Sequence, residues 1–480
     1  MISAQPVLRL SDRQAAAHGL AAIIDRLLGV TPRPKEASSM QFRKLSLLIA
    51  GSLGIAAILI PASAARAGST DTQPTTDVPV RHDTADSGAT ATLPPERVKE
   101  TLDAYSHWLD VVAERNEVAG LATAVVVNNK VAFERTIGYA DTSTQEPVTP
   151  TTVFRLASLS KAFATAVTGL LIEEGRFDWN TKLADALPFF QLKDAQASGT
   201  VTVRDILGQR LGLPHNTYDQ MLEDNVPYEE LVRKLDEVNL TCNVGQCYGY
   251  QNVAFSLIGD LIYAETGDFF YHQVDKRIFF PLGMTTASYG REALESSKSW
   301  ARPHRPHGAH AWESFDPKEA YYRVAPAAGV NASLRDMEQW LIAQMGGRPD
   351  VLSPALLDEL HAPGVSTPGE MHAAPWRHAR VTAASYALGW RVFTYGGETM
   401  VFHAGAVEGY RTMIAFFPKY RVGMVSMWNS PGAVGTDLMP MVFDAMLGLP
   451  HVDWAGVESD PPANRSAPEK VRHKSRHHGG

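Results

Sequence analysis

The decisive stretch is Val153-Phe154-Arg155-Leu156-Ala157-Ser158-Leu159-Ser160-Lys161, which runs into the apolar segment Ala162 to Glu174 and stops at Gly175. That apolar segment predicts a buried helix closing on a glycine. Residues three apart share one helix face, so a serine at position 158 carries Lys161 beside its hydroxyl. The helix N-terminus adds partial positive charge, which favours an anionic intermediate. A serine hydroxyl is a weak nucleophile until a neighbouring base takes its proton, and a desolvated lysine with a depressed pKa does this. Ser-x-x-Lys alone is a weak pattern, with roughly one chance match expected in such a chain. The plain alternative is a surface Ser–Lys pair on a first turn. Phe154, Leu156 and Ala157 before the pair, and Ala162, Phe163 and Ala164 after it, argue for burial, and a buried lysine without a purpose is costly.

Two further motifs lie downstream. Tyr250-Gln251-Asn252 opens the next helical stretch, Gln251 to Gly267. A phenol can shuttle protons and an Asn amide can hold a substrate carbonyl, although a packed Tyr and a helix-capping Asn read equally well from this motif alone. His403-Ala404-Gly405, followed by Gly409-Tyr410, sits between two strand-like runs. A glycine there lets a substrate lie against the strand backbone, or the motif is a strand end that carries a histidine.

Around these motifs the periodicity predicts a helix from Glu96 to Arg115 and a β-hairpin of Leu121 to Val127 and Val131 to Gly138, turning at Asn128-Asn129-Lys130. Strand-like runs follow at Tyr386 to Val392, Met400 to His403, Thr412 to Phe417 and Val422 to Trp428, with a last helix from Met439 to Leu447. Strands at both ends with helices between them predict an α+β fold whose sheet joins the two ends.

The chain has 480 residues, 45% of them hydrophobic, with 44 Lys+Arg against 52 Asp+Glu, a net charge of 44 − 52 = −8. This mild acidity speaks against nucleic-acid binding, which needs a basic excess. The apolar content excludes a wholly disordered chain. Two cysteines exclude a disulfide scaffold and a four-cysteine zinc site.

The ends differ from the middle. From Met40, the basic pair Arg43-Lys44, the apolar run Leu45 to Ile60 and the small-x-small triplet Ala65-Arg66-Ala67 form the three parts of a secretory signal peptide. A membrane anchor left uncleaved is the alternative. The reading is therefore translation from Met40 with residues 1–39 an upstream extension, a signal at 40–67, a flexible linker at 68–95, a catalytic domain at 96–450 and a disordered basic tail at 451–480. His473, His477 and His478 fall in that tail, read as solvated rather than metal-binding. His304, His307 and His310 recur every three residues, but the prolines between them predict a loop rather than a metal site.

In order and context, the chain resembles the penicillin-recognising serine hydrolase superfamily: class C β-lactamases, D-alanyl-D-alanine carboxypeptidases and related esterases. The matching stretches are VFRLASLSK (153–161), VTVRDILGQRLGLP (201–214), Tyr250 to Gly267, PLGM (281–284), APAAGVNASLRDM (325–337), YALGW (386–390) and HAGAVEGY (403–410). No one of them is specific; seven in family order are. The resemblance implies an antiparallel sheet flanked by helices plus an all-helical lobe, with no cofactor. It implies Ser158 as the acylated nucleophile and Lys161 as its activator. Tyr250 would relay protons, and the base is left shared between Lys161 and Tyr250. Asn252 would orient the substrate, His403 would stand where class C enzymes carry Lys, and the N–H groups of Ser158 and Ala406 would form an oxyanion hole beside Gly405.

Four departures stand out. Gln251 replaces the family's Ser, Ala406 stands where Ser or Thr is usual, and Gln209-Arg210-Leu211-Gly212-Leu213-Pro214 replaces the family's His-Thr-Ser-Gly-Leu-Pro. His403 is mostly neutral near pH 7 where a lysine is a permanent cation. They lower the expectation of efficient β-lactam hydrolysis. Cys242 and Cys247, just before Tyr250, are expected to form a disulfide if the protein is exported, with two free thiols as the alternative. The expected protein is thus a periplasmic or secreted serine hydrolase acting on a small-molecule or peptide substrate: a β-lactam, a D-amino-acid peptide or an ester. It has no nucleic-acid partner, and a membrane anchor only if the signal is uncleaved. A slowly turning-over, penicillin-sensing protein that is acylated without efficient hydrolysis is the other reading.

Overall fold

A computed structural model describes residues 91–308 and 311–459. The expected extension, signal, most of the linker, His310 and the three tail histidines lie outside those residues.

The strands in chain order are β1 (Gly120–Val127), β2 (Lys130–Asp141), β3 (Glu146–Pro147), β4 (Val153–Arg155), β5 (Ser288–Tyr289), β6 (His304–Pro306) and β7 (Trp312–Ser314). They continue with β8 (Val330–Ser333), β9 (Val365–Ser366), β10 (Val381–Tyr386), β11 (Arg391–Tyr395), β12 (Glu398–Val407), β13 (Tyr410–Phe417) and β14 (Val422–Trp428). Among the described residues, nine of them form one sheet in the order β3-β2-β1-β14-β13-β12-β11-β10-β9, and β4, β8 and β5 form a small sheet beside the serine motif. All the pairings within these two sheets are antiparallel.

The sheet joins the two ends of the fold because β1 pairs with β14, from Leu121 opposite Trp428 to Val127 opposite Val422. Both strands are buried along nearly their whole length, which explains their continuous apolar runs in place of alternation. The β1–β2 turn falls at Asn128 and Asn129, both with positive φ (50° and 60°), the left-handed conformation that asparagine tolerates best after glycine. One face of the sheet is covered by the helices Pro95–Glu114 and Val434–Leu447, through Tyr105, Leu109, Leu438 and Val442. The other carries Leu334–Gln344 and the serine helix Ser160–Glu173, beyond which the short helices of the lobe complete a second core.

The serine helix is buried at eleven positions from Ser160 to Leu171, which is why its sequence shows almost no polar face. At Gly169 a Cβ would lie 2.2 Å from Leu356 Cδ1, so the glycine lets the helix Pro354–His361 approach closely.

Three expectations about local structure need correction. Tyr386 to Val392 is not one strand: β10 ends at Tyr386, residues 387–390 turn, and β11 begins at Arg391. The cause is Gly389, at φ +76°, whose Cβ would meet Thr165 Oγ1 at 2.8 Å and the Lys161 carbonyl at 2.9 Å, so the turn docks on the serine helix. Residues 251–253 are not helical; a 3-10 turn starts at Ala254 and the α-helix at Leu257. Residues 451–459 belong to the fold rather than to the tail. There Val457 is buried, Trp108 Nε1 donates to Glu458 Oε1 at 2.8 Å, and Arg115 donates to the carbonyls of Gly456 and Ser459. Among the described residues, no helix is long and apolar enough to cross a membrane.

Candidate active site

Ser158 stands in a 3-10 turn, Ala157–Leu159, between β4 and the serine helix. Ala157 takes φ +50°, a conformation costing an alanine on the order of 1 kcal/mol. The neighbouring bonds hold it there. Leu156 donates to the Val330 carbonyl at 2.9 Å and its own carbonyl accepts from Thr412 Oγ1 at 2.9 Å. Ser160 Oγ accepts from Val330 N–H at 2.9 Å and donates to the Ala157 carbonyl at 2.6 Å. The two serines of the motif therefore separate by environment, with Ser160 fully buried in backbone bonds and Ser158 half-buried.

β12 lies directly against this turn. A Cβ on Gly405 would stand 2.2 Å from the Leu156 carbonyl oxygen and 3.1 Å from Ser158 N, so only glycine lets the strand come so close. Ala406 follows it, exposed, opposite Arg411 of β13.

The hydroxyl of Ser158 belongs to Tyr250, whose Oη donates to Ser158 Oγ at 2.8 Å. Lys161, placed beside the serine by the motif spacing, turns elsewhere: its Nζ donates to Asn252 Oδ1 at 2.6 Å and to the Ala327 carbonyl at 3.2 Å. It also stands 4.5 Å from the centre of the Tyr250 ring. Burial lowers the pKa of Lys161, while Tyr250 and Asp219 pull it back up. Asn252 continues the chain, its Nδ2 donating to Asp219 Oδ2 at 2.7 Å. Burial pushes the Asp219 carboxyl up, against the hydrogen bond from Asn252 and the charge of Lys161. Both ends of the Asn252 amide are thus engaged by protein groups, which leaves the substrate-orienting role expected of it one Nδ2 hydrogen and one Oδ1 lone pair.

The Tyr250 loop is fastened from behind. Gln251 N–H donates to Gln209 Oε1 at 2.7 Å, Gln209 Nε2 returns to the Gln251 carbonyl at 3.1 Å, and Tyr250 N–H donates to His215 Nδ1 at 3.1 Å. Cys242 and Cys247 are joined as a disulfide, and Gly249 N–H reaches the Gln209 carbonyl at 2.9 Å.

His403 is fully buried, with Nδ1 2.9 Å from the Ala404 carbonyl and Nε2 3.3 Å from Tyr386 Oη and 3.4 Å from Arg391 Nη1. Burial first, then the charges of Arg391 and Lys161, hold its pKa well below the usual histidine value. The neutral ring donates through Nδ1 and accepts through Nε2. The permanent cation here is Arg391, 3.2 Å from Glu370 and 5.6 Å from the centre of the Tyr250 ring.

Ser158, Lys161, Tyr250, Asn252, Gly405 and Ala406 therefore surround one point, with His403 behind them. Sequence reasoning gave no site role to Gln209 or Tyr386, though both lie in the matching stretches, and it missed Asp219 and Arg391. Arg391 directly follows the YALGW stretch and could have been found from it; Asp219 carries no local signal. His304 is buried and accepts from Thr142 N–H at 3.2 Å, and His307 lies 3.9 Å from Glu313. Among the described residues, no group of His, Cys, Asp or Glu is placed to hold a metal ion.

The beta-lactamase family model matches residues 98–440. An unguisins hydrolase, ungD', of Aspergillus campestris is 27% identical over 75% of this chain and 66% of its own length. The flp proteins of Staphylococcus aureus are 26% identical over 66% of this chain and 60% of theirs. The chain thus spans less than two thirds of the length of these relatives. Among solved structures, the octameric penicillin-binding protein homologue of Pyrococcus abyssi aligns with a TM-score of 0.64 at 20% identity, covering 73% of this chain and 78% of that one. The crystal structure of SurE aligns with a TM-score of 0.60 at 21% identity, covering 78% of this chain and 80% of that one. These two show the fold, a mixed helix and antiparallel-sheet architecture of the penicillin-binding-protein and β-lactamase type.

Proposed function

This chain belongs to the beta-lactamase family of serine hydrolases, and we propose that it hydrolyses a small ester or amide through an acyl-enzyme on Ser158. The observation that carries this reading is the 2.8 Å bond from Tyr250 to Ser158 beside a buried lysine whose charged form burial disfavours. As Ser158 Oγ bonds to the substrate carbonyl carbon, its proton passes to Tyr250 Oη while the phenol proton passes to the neutral Lys161 amine. The N–H groups of Ser158 and Ala406 receive the oxyanion, one such donor being worth about 3–4 kcal/mol of barrier. Collapse breaks the bond to the leaving group, which takes the proton back through Tyr250. Water then gives a proton to the same relay, attacks the acyl carbon, and releases Ser158 with its proton restored.

Two observations favour an ester or amide over a β-lactam. His403 is neutral, so it offers no permanent charge to a substrate carboxylate, and Arg391 behind it is already paired with Glu370. Export is part of the proposal, on the Arg43-Lys44, Leu45 to Ile60 and Ala65-Arg66-Ala67 pattern, and sequencing the N-terminus of the native protein tests it.

The function is tested with nitrocefin, D-Ala-D-Ala peptides and short-chain p-nitrophenyl esters, read by turnover and by intact-protein mass spectrometry. Rapid ester or peptide turnover, lost in Ser158→Ala, is the expected result. An adduct that forms and persists without turnover would establish the sensor reading instead, and hydrolysis unchanged in Ser158→Ala would refute both.

A further inference from the structure

The helical lobe carries a concave site away from the serine. Among the described residues, seven large hydrophobic side chains are markedly exposed, and four of them, Phe189, Tyr263, Phe269 and Tyr271, line one cleft of about 440 Å³. Clustering, rather than scatter, marks an exposed apolar surface as a binding site. Their rings form a ladder: Tyr263 stacks on Phe269 with centroids 5.3 Å apart, and Phe269 on Tyr271 at 5.6 Å and 9°.

The cleft also has polar walls of both signs. Asp260 accepts from Tyr228 Oη at 2.7 Å, and among the described residues its other oxygen has no hydrogen-bond partner. Arg323 lines the same cleft, and its Nη1 is buried without a partner. No ion pair joins Asp260 to Arg323 among the described residues, and of the two it is Arg323 whose buried Nη1 lacks a partner. The site is separate from the serine. The short helix Ala325–Ala328 stands between them, with Ala325 and Pro326 on the cleft and the Ala327 carbonyl on Lys161 Nζ.

The two opposite charges narrow the occupant, and the aromatic ladder narrows it further. An anionic ligand would satisfy Arg323 but face Asp260, and a cationic one would suit the rings and Asp260 but face Arg323. A neutral polyol meets both, because each hydroxyl donates to a carboxylate or accepts from a guanidinium, and a sugar ring adds a flat C–H face that packs on aromatic rings. We propose that this aromatic cleft is a saccharide-binding site, distinct from the Ser158 centre.

The full-length protein is titrated with cellotriose, maltotriose and chitotriose by calorimetry and saturation-transfer NMR. Saturable binding of at least one trimer is expected, weakened about ten-fold by Phe269→Ala or Tyr263→Ala and retained in Phe269→Trp. Arg323→Gln and Asp260→Asn should each weaken it as well. The substituted rings are about half exposed, so the variants should melt with the parent, and their rate on a p-nitrophenyl ester should be unchanged. The proposal is overturned if none of the three trimers binds saturably below about 10 mM, or if binding survives both ring deletions. Displacement of the sugar by tetramethylammonium or benzoate at lower concentration would overturn it too.

Discussion

Tyr250 Oη lies 2.8 Å from Ser158 Oγ, and it is this phenol, not the lysine one turn along the helix, that holds the nucleophile. Lys161 reaches the reaction through Tyr250, whose ring centre lies 4.5 Å from its Nζ and whose side chain raises its pKa against burial. Tyr250→Phe removes the hydroxyl alone and leaves the ring over Lys161, so the fold should persist. Loss of a positioned proton relay costs about 10²–10⁴ in rate. Stopped-time ester assays should therefore show kcat falling by that factor with KM nearly unchanged, and a fall in KM alone would contradict the relay.

Lys161 sets the pH response. Its neutral amine must accept a proton, and burial holds its pKa below the ordinary 10.5. The rate should rise with pH through that lowered value and level off above it, because the charged lysine at lower pH has no free electron pair. Lys161→Arg keeps the charge and cannot lose it, so it should abolish turnover across the range. A kcat/KM profile of both proteins decides this; a parent profile that climbs only near 10.5 would mean that burial does not tune the amine.

Stability should have its own pH dependence at Glu338, which burial, reinforced by Glu134, pushes up to about 8. The folded protein keeps this proton between the ordinary carboxyl value of 4.5 and about 8, while the unfolded chain has released it. Stability from this group is thus complete below 4.5 and lost as pH rises through 8, with a slope of at most about 1.4 kcal/mol per pH unit. Glu338→Gln should melt higher than the parent at pH 9, with the gain shrinking at pH 5, as differential scanning calorimetry would record.

The Cys242–Cys247 disulfide closes a loop of sequence separation 5 just ahead of Tyr250. Chain-entropy arguments give so short a loop about 2 kcal/mol. The loop also reaches the Tyr250 clamp, through Gly249 N–H on the Gln209 carbonyl and Gly245 N–H on the Arg210 carbonyl at 2.7 Å. Reduction, or Cys242→Ser with Cys247→Ser, should lower Tm by several degrees and kcat by a few-fold, with serine labelling by a fluorophosphonate slowed in step. Unchanged kcat in the reduced protein would detach the bridge from the site.

What the sequence disclosed follows the range of the interactions. The serine helix, the β1–β2 hairpin and the strands β12 to β14 are written in local periodicity and were legible. Ser158, Lys161, Tyr250, Gly405 and His403 were legible as separate motifs whose family order joined them. Asp219 was not, because it meets Asn252 across 33 residues with nothing local to mark it. The turn at Gly389 was hidden in an apolar run, since the turn itself is buried against Thr165. Residues 451–459 read as part of the polar tail that follows them, yet they carry Val452, Trp454, Ala455 and Val457, and Val457 and Trp454 dock them. The engagement of Asn252 by Lys161 and Asp219 is likewise a tertiary fact.

Gly405 offers the sharpest test of the site's geometry. An alanine in a strand would ordinarily gain roughly 0.4–1 kcal/mol over glycine by restricting the unfolded chain. Here its Cβ would fall 2.2 Å from the Leu156 carbonyl oxygen and 2.5 Å from Thr412 Oγ1, which are the two atoms whose hydrogen bond pins the nucleophile turn. Backbone cannot yield as a flexible side chain does, so β12 and the turn must separate, at about 1–3 kcal/mol for such overpacking. The steric term exceeds the entropic gain, and Gly405→Ala should lose stability on balance. The same separation moves Ala406 N–H away from Ser158 N–H, the two donors proposed for the oxyanion, so kcat should fall by at least the roughly 10²-fold lost with one such donor. Thr412→Val removes the hydroxyl without adding bulk at Gly405, and it should cost stability with a much smaller loss of rate. If Gly405→Ala instead melts above the parent and keeps its kcat, β12 does not bear on the nucleophile turn as described.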